Sequence, residues 1–248
     1  MRIDIEQELN EVVVTLGGMR VDQIVGKNPP FRNADYVFPN EPCVVELKCL
    51  EKDQMPEFPD KLAELIHDWI RKGVIPPLPP GRSIVETKDL PIDCQRQAAK
   101  IYRKPLLDVL DNANQQLRAT KKHLDMLDSP GLLLLANNDN KLLELDPLLY
   151  SLASALKADQ TGKRRDTSIN QIVYFTANLP MVGPNPNMDY HVWLPLRIDQ
   201  NDDRLILFTE QLGKAWIAHY GRLVGNSGGI LNLSSEGLKT IRLRRPWD

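Results

Sequence analysis

The spacing of apolar and polar residues predicts a helix followed by a three-strand meander. Near the N-terminus, apolar residues recur at helical intervals: Ile5, Leu9, Val12, Val13 and Leu16. They lead into Gly17-Gly18, so we predict an amphipathic helix with a glycine stop. Turn residues such as KNPPFRN separate the short apolar runs that follow, and we interpret these runs as strands. The predicted strands are Val21 to Val25, Asp35 to Phe38 and Cys43 to Leu50.

The rest of the pattern alternates between helices and strands. A long helix with a polar face is predicted first, with Pro105 as a point of interruption, and the continuous apolar run GLLLLANN after it predicts a fully buried strand. The other predicted elements are helices over Gln95 to Leu127, Asp146 to Leu156 and Phe208 to Val224, a buried strand over Ile169 to Ala177, and an edge strand over Tyr190 to Ile198. This order predicts an α/β fold, with a mixed sheet and helices on both faces.

One segment interrupts this order. Glu57 to Lys72 has helical periodicity and leads into GVIPPLPPGRS, which is incompatible with a helix or a central strand. We interpret residues 51 to about 95 as an insertion, and residues from about 180 to 248 as a C-terminal extension, within one domain of 248 residues. The PPLPP run is either a polyproline ligand for a partner protein or, as we favour, a stiff surface loop.

Composition narrows the functional classes. A chain of 248 residues with 42% hydrophobic content can bury a large core. With 31 basic and 33 acidic side chains, net charge alone cannot drive nucleic-acid binding, which would need a local basic patch. The cysteines have no CxxC spacing, the N-terminus has no apolar signal core, and no apolar run is long enough to span a bilayer. These features predict a cytoplasmic protein without disulfide or zinc frameworks.

The predicted strand over Cys43 to Leu50 carries charges that an ordinary core strand would lack. Side chains alternate along a strand, so Glu46 and Lys48 share one face, and the apolar residues between and around them share the other. If the preceding strand brings Asp35 alongside, two carboxylates and one ammonium meet. Such carboxylates repel each other unless a cation lies between them, and Mg²⁺ prefers hard oxygen ligands of this kind. Lys48 would then hold an attacking water or help to deprotonate it.

This arrangement resembles the PD-(D/E)xK nuclease superfamily, which has the restriction-endonuclease-like fold. Ala34-Asp35 stands in the place of the family's Pro-Asp, and Glu46-Leu47-Lys48 stands in the place of its Glu-x-Lys. The only departure in these motifs is alanine for proline, at a position that does no chemistry. The resemblance implies an αβββαβ core, here with an inserted helical and Pro-rich segment and a C-terminal extension.

The resemblance also implies roles for individual residues. Asp35 and Glu46 would be metal ligands, with the Leu47 carbonyl as a third, and Mg²⁺ would be the cofactor, with Mn²⁺ as a substitute. An acidic residue on the first helix would complete the metal shell, and Glu6 is our candidate, with Glu8 as its rival. A basic or glutamine-bearing helix should follow the motif. The residues available there are Gln115, Gln116 and Lys121.

Short motifs arise by chance, and the chain contains other acidic-x-Lys triplets, Glu86-Thr87-Lys88 and Asp139-Asn140-Lys141. Only the Glu46 triplet lies on an apolar strand that follows an Asp-bearing strand and a helix. For nucleic-acid contact, the candidates are the polar residues of the long helix and basic clusters such as Lys163, Arg164 and Arg165. For any single basic cluster, a solvated loop is the favoured explanation.

The sequence therefore predicts a Mg²⁺-dependent nuclease that hydrolyses the phosphodiester bonds of DNA. By analogy with the superfamily, it would be the effector of an antiphage defence or restriction system, restrained by a regulatory partner protein. Alternatives remain open. The fold could serve as a catalytically inactive module that binds a partner protein, or the enzyme could be an RNase. In an alternative without any chemical function for these residues, Asp35 caps a turn, while Glu46 and Lys48 form a solvated ion pair on an edge strand.

Overall fold

The computed structural model describes most of the chain. The described residues are 2–26, 29–41, 43–51, 58–78, 89–140, 145–156, 167–179, 181–182, 190–197, 203–225, 230–232 and 242–243. The helices within them are α1 (Ile5–Thr15), α2 (Val21–Val25), α3 (Phe58–Arg71), α4 (Ile92–His123), α5 (Leu145–Leu156) and α6 (Asp203–Leu223). The strands are β1 (Met19–Arg20), β2 (Tyr36–Phe38), β3 (Cys43–Leu50), β4 (Gly131–Asn138), β5 (Gln171–Ala177), β6 (Met181–Val182), β7 (His191–Arg197), β8 (Ile230–Asn232) and β9 (Arg242–Leu243).

The chain divides into two compact units. The first comprises Met1–Glu51, Leu110–Asn140 and Asp166–Asp248, and the second comprises Lys52–Val109 and Lys141–Arg165. The sheet and the second half of α4 belong to the first unit, which we call the sheet unit. Helices α3 and α5 and the first half of α4 belong to the second, which we call the helical unit. The expectation of one domain with an insertion at about 51–95 and an extension from about 180 stays a prediction.

Within the described residues, the main sheet has seven strands, in the order β1-β2-β3-β4-β5-β7-β8. Antiparallel pairing joins β1 to β2 and β2 to β3, and parallel pairing then joins β3 to β4 and β4 to β5. The next pair, β5 and β7, is antiparallel. The sheet is therefore mixed, and the predicted α/β class is confirmed.

Helix α1 has well-defined ends. The Asp4 side chain accepts a hydrogen bond from the Gln7 backbone N–H at 3.1 Å, which satisfies a donor that the first helical turn leaves free. The helix stops before Gly17, whose φ of 79° is readily adopted by glycine. The apolar face between these ends packs onto the sheet with α6, in a core that includes Leu9, Val45 and Phe208.

The two faces of the sheet differ. Val45 and Leu47 point into the core that α1 and α6 cover. Because side chains alternate along a strand, Glu46 and Lys48 leave β3 on the opposite face. There the second half of α4 lies close enough for Gln116 to accept a hydrogen bond from the Lys48 ammonium. Helices thus lie on both faces of the sheet, as the element order predicted.

The helical unit has its own small core. Trp69 is buried in a cluster with residues that follow α3 and begin α4, and its indole N–H donates to the Gln97 side-chain oxygen at 3.0 Å. The buried members of this cluster are Trp69, Ile75, Leu90, Cys94 and Ala98. One face of α3 packs against them, so the helical periodicity in that part of the sequence marks a real packing surface.

Two of the predicted elements have the wrong type or position. Val21–Val25 is helix α2, not a strand, and the first strand is Met19–Arg20. Short apolar runs do not separate the two structures by periodicity alone. Here Asp22 occupies the first helical turn, and Gly26, with φ of 85°, ends it. The expected edge strand is also not an edge, because β7 pairs with β5 on one side and β8 on the other.

Other differences concern boundaries. Helix α6 starts at Asp203, five residues before the predicted Phe208, and α4 continues through Pro105 without interruption. Strands β8 and β9 occur in a tail for which the sequence predicted none. Within the described residues, none of the helices combines the length and apolar character that crossing a membrane requires.

Candidate metal centre

The antiparallel pairing of β2 and β3 brings Asp35 and Glu46 together. Tyr36 pairs with Val45, so the residue before Tyr36 lies opposite the residue after Val45. Asp35 keeps this position because its Oδ2 accepts a hydrogen bond from the Leu47 backbone N–H at 2.8 Å. The two carboxyl groups are close enough for each to influence the pKa of the other.

Glu46 is a carboxyl group in an environment that does not solvate it. Its side chain is 0% exposed, and β3 lies between β2 and β4 in the interior of the sheet. Neither side-chain oxygen accepts a regular hydrogen bond from any described residue. Burial, and then the charge of Asp35, raises the pKa of Glu46 from 4.5 to about 8. The alternative interpretation, a solvated ion pair on an edge strand, is therefore wrong.

Lys48 supplies the positive charge of the centre. Its ammonium forms an ion pair with Oε1 of Glu46 and donates a hydrogen bond to the Gln116 side-chain oxygen at 2.8 Å. Gln116 in turn donates to the Asn33 backbone carbonyl at 2.9 Å. The Lys48 side chain is 27% exposed, so one side of the centre is open to water while Glu46 is not.

Asp35 is half-buried, and several groups compete to set its protonation. Burial is the largest influence and raises its pKa, the Leu47 N–H and the Lys48 charge lower it, and the charge of Glu6 raises it. The net direction is upward. Within a strand residue, N–H and C=O point to the same side, so the Leu47 carbonyl leaves β3 on the side where Asp35 lies. The Leu47 carbonyl as a third metal ligand stays a prediction.

Glu6 and Glu8 occupy different surroundings on α1. Glu6 is exposed, and its charge affects Asp35, whereas Glu8 is held by His219, with 2.7 Å between Oε2 and Nε2. Glu6 is therefore the better of the two candidates. It does not close a three-residue cluster with Asp35 and Glu46. In the described part of the chain, the metal-capable side chains whose ligand atoms all lie within 4.8 Å of one another are Glu8, Glu11 and His219.

The three residues of α4 that were predicted to contact nucleic acid have different surroundings. Gln115 is exposed, and Gln116 is engaged with Lys48. The sequence suggested that Lys121 lies on an exposed polar face, and this is wrong. Lys121 is 6% exposed, and its Nζ donates a hydrogen bond to the Ser168 carbonyl at 3.1 Å. Burial lowers the pKa of Lys121 to about 8. Lys163, Arg164 and Arg165 lie outside the described residues.

Sequence reasoning missed how side chains of α4 bind the backbone of the segment that leads into Asp35. Thr120 accepts a hydrogen bond from the Ala34 backbone N–H at 2.7 Å, one helical turn after Gln116 binds Asn33. The spacing of Gln116 and Thr120 puts both side chains on the same side of α4. The four-residue spacing of these two side chains was the one signal in the sequence. It cannot be interpreted without knowing which segment faces this side of α4.

The centre fits a divalent cation. When both carboxyl groups are ionised, Asp35, Glu46 and the Lys48 ammonium together carry one net negative charge, and among the described residues neither oxygen of the buried Glu46 has a regular hydrogen-bond donor. A cation at Asp35 and Glu46 would compensate the negative charge that Lys48 alone leaves when both carboxyl groups are ionised.

No protein-family model, curated protein or solved structure matches this chain.

Proposed function

We propose that the chain is a Mg²⁺-dependent nuclease with a restriction-endonuclease-like core, and that it hydrolyses phosphodiester bonds of DNA. The observation that carries the proposal is the Glu46 carboxyl group, fully buried, without a regular hydrogen-bond donor, and facing Asp35. With α2 set aside between β1 and β2, and α3 set aside before α4, the elements α1, β1, β2, β3, α4 and β4 run in the αβββαβ order, which also supports the proposal. The preference for DNA comes from the resemblance alone.

The residues divide the chemistry among them. Asp35, Glu46 and the Leu47 carbonyl would hold the metal, with Glu6 at its outer side. When bound, Mg²⁺ supplies Lewis acidity to a phosphate oxygen, and Mn²⁺ can do the same. Lys48 orients the attacking water and assists the removal of its proton, since the open side of the centre lies at its ammonium. Gln116 keeps that ammonium in place by accepting its hydrogen bond.

The direct test is cleavage of linear and circular duplex DNA with Mg²⁺, with Mn²⁺ and with EDTA. We expect metal-dependent cleavage by the parent protein, and a loss of about 100-fold or more in Glu46→Gln and in Lys48→Ala. Glu11→Gln is the matched control, because it removes an exposed carboxylate from the same unit. Circular dichroism of each variant checks that it is folded. Parent-like cleavage by either centre variant would contradict the assigned roles.

Two alternative functions predict different results when the same protein preparation is assayed. A catalytically inactive module that binds a partner protein would cleave neither substrate, and it would have no reason to bind Mg²⁺ at Asp35 and Glu46. An RNase would cleave structured RNA in preference to duplex DNA when equal amounts are offered. A role in antiphage defence or restriction, the regulatory partner protein and the cytoplasmic location stay predictions from the sequence.

A further inference from the structure

The segment Phe31–Ala34, which leads into Asp35, has no regular secondary structure, yet α4 holds each of its residues. The contacts are Phe31 with His123 (ring centroids 4.3 Å apart), Arg32 Nη1 with Asn112 Oδ1 (3.2 Å), the Asn33 carbonyl with Gln116 Nε2 (2.9 Å), and the Ala34 N–H with Thr120 Oγ1 (2.7 Å). A loop anchored at every residue loses little further entropy when a ligand binds to it. We call it the docked segment.

Arg32 is the charged residue of the docked segment. It is exposed, and its guanidinium donates to Asn112, which is a neutral amide. No described carboxylate forms an ion pair with it. Arg20 shows the contrast, because both oxygens of Asp22 accept hydrogen bonds from its guanidinium, at 3.0 and 2.7 Å. Arg32 therefore has donors available to an anion.

The distance from Arg32 to the centre matches the dimensions of a nucleic-acid strand. Three Cα-to-Cα steps, with two residues between, separate its Cα from that of Asp35 by at most about 11 Å. Along one strand of duplex DNA, successive phosphates advance by about 3.4 Å of helix axis. A phosphate at Asp35 and Glu46 would therefore have neighbours on its own strand, within about three nucleotides, that Arg32 can reach.

We infer that Arg32 binds a backbone phosphate of the strand that is cut, a few nucleotides from the scissile bond. This inference rests on the proposed nuclease function and extends it to the form of the substrate. A guanidinium binds phosphate through parallel hydrogen bonds. Phosphate contacts position a strand without reading its bases. The docked segment thus sets the register of the DNA strand at the centre. Its phosphate contact does not depend on the DNA sequence.

The test compares Arg32→Gln with Arg118→Gln. Arg118 is also exposed and charged, but it lies two residues after Gln116 and therefore points away from that side of α4. Binding of a labelled duplex is measured by fluorescence anisotropy in EDTA, from 50 to 200 mM salt. For Arg32→Gln we expect an affinity about 5- to 10-fold weaker and a log–log salt slope reduced by about 0.9. With Mg²⁺, KM should rise by a similar factor while kcat stays the same.

A conservative variant separates charge from folding. Arg32→Lys keeps one positive charge and should preserve the salt slope while it recovers part of the affinity. If Arg32→Gln behaves like Arg118→Gln in slope and KM, the inference is wrong, even if the parent cleaves DNA. If the parent binds DNA through Arg32 and does not cleave it, the nuclease proposal fails and the binding surface stands. A parent that neither binds nor cleaves DNA overturns both.

Discussion

Two groups of carboxyl side chains in the sheet unit look alike in composition and differ in surroundings. Glu8 and Glu11 lie with His219 at the surface between α1 and α6, and their ligand atoms come within 4.8 Å of one another. Asp35 and Glu46 lie inside the sheet, with Lys48 as the counter-charge. Among the described residues, the surface group is the one whose three ligand atoms meet this limit.

The difference lies in solvation. The Glu8 carboxylate has a hydrogen-bond partner in His219, and Glu11 is exposed, so water and protein already stabilise both charges. Glu46 is 0% exposed, and among the described residues its oxygens have the ion pair with Lys48 but no regular hydrogen-bond donor. Where burial outweighs the one ion pair with Lys48, the carboxyl group either keeps its proton or gains a cation. Burial without donors is therefore better evidence for a cation site than short distances between acidic groups.

The largest expected effect is on the pH dependence of folding without metal. The folded protein keeps the Glu46 proton up to a pKa of about 8, whereas the unfolded chain loses it near 4.5. The folded state binds more protons in this window, so its stability falls as pH rises from 4.5 to about 8. The loss should be on the order of a few kcal/mol. It is measured by denaturant unfolding in EDTA at a series of pH values.

The matched variant is Glu46→Gln, which cannot titrate. Its stability should change less than that of the parent over the same window, while Glu11→Gln should follow the parent. If the parent and Glu46→Gln show the same pH dependence of stability between pH 5 and 8, Glu46 is ionised in the folded state without any metal.

The second effect is stabilisation by metal. At pH 8, Mg²⁺ at 100 times its Kd should add about 2.7 kcal/mol to the free energy of unfolding. For a chain of this size, that corresponds to a rise of about 5–10 °C in Tm. Because the cation displaces a proton from Glu46, the rise should be smaller at pH 6. Glu46→Gln should lose it and Glu11→Gln should keep it. The reverse pattern would move the metal to the surface group.

The smallest effect concerns the surface group itself. His219→Gln removes the contact with Glu8 that ties α6 to α1, and we expect it to lower the free energy of unfolding by about 1 kcal/mol. Cleavage and Mg²⁺-dependent stabilisation should stay at parent levels. A loss of cleavage in a folded His219→Gln protein would indicate that the two groups are functionally linked, which their surroundings do not suggest.

The elements with strong and long patterns were predictable. The periodicity of α1 and the apolar runs of β3 and β4 gave the correct type of structure, since each signal extends over at least eight residues. The shared face of Glu46 and Lys48 follows from the two-residue period of any strand. The position of Asp35 opposite Glu46 required only that β2 and β3 pair as a hairpin.

Other features depend on contacts that no local pattern contains. Lys121 looks like a surface lysine in sequence, but the carbonyl that accepts its hydrogen bond belongs to Ser168, 47 positions away. The five residues of α2 are too few for periodicity to identify. Arg32 carries no sequence signal either, because its significance depends on α4, which begins 60 residues later.

The pairing of β2 with β3 determines where residues can be inserted into the chain without disturbing the centre. Extra residues in the turn after Phe38 would leave the partners Tyr36 and Val45 aligned, so a longer turn is compatible with an intact centre. One residue added between Asp35 and Tyr36 would instead send the carboxylate to the opposite side of the ribbon. Relatives of this protein should therefore tolerate hairpins of many lengths, while the acid stays directly before the short strand.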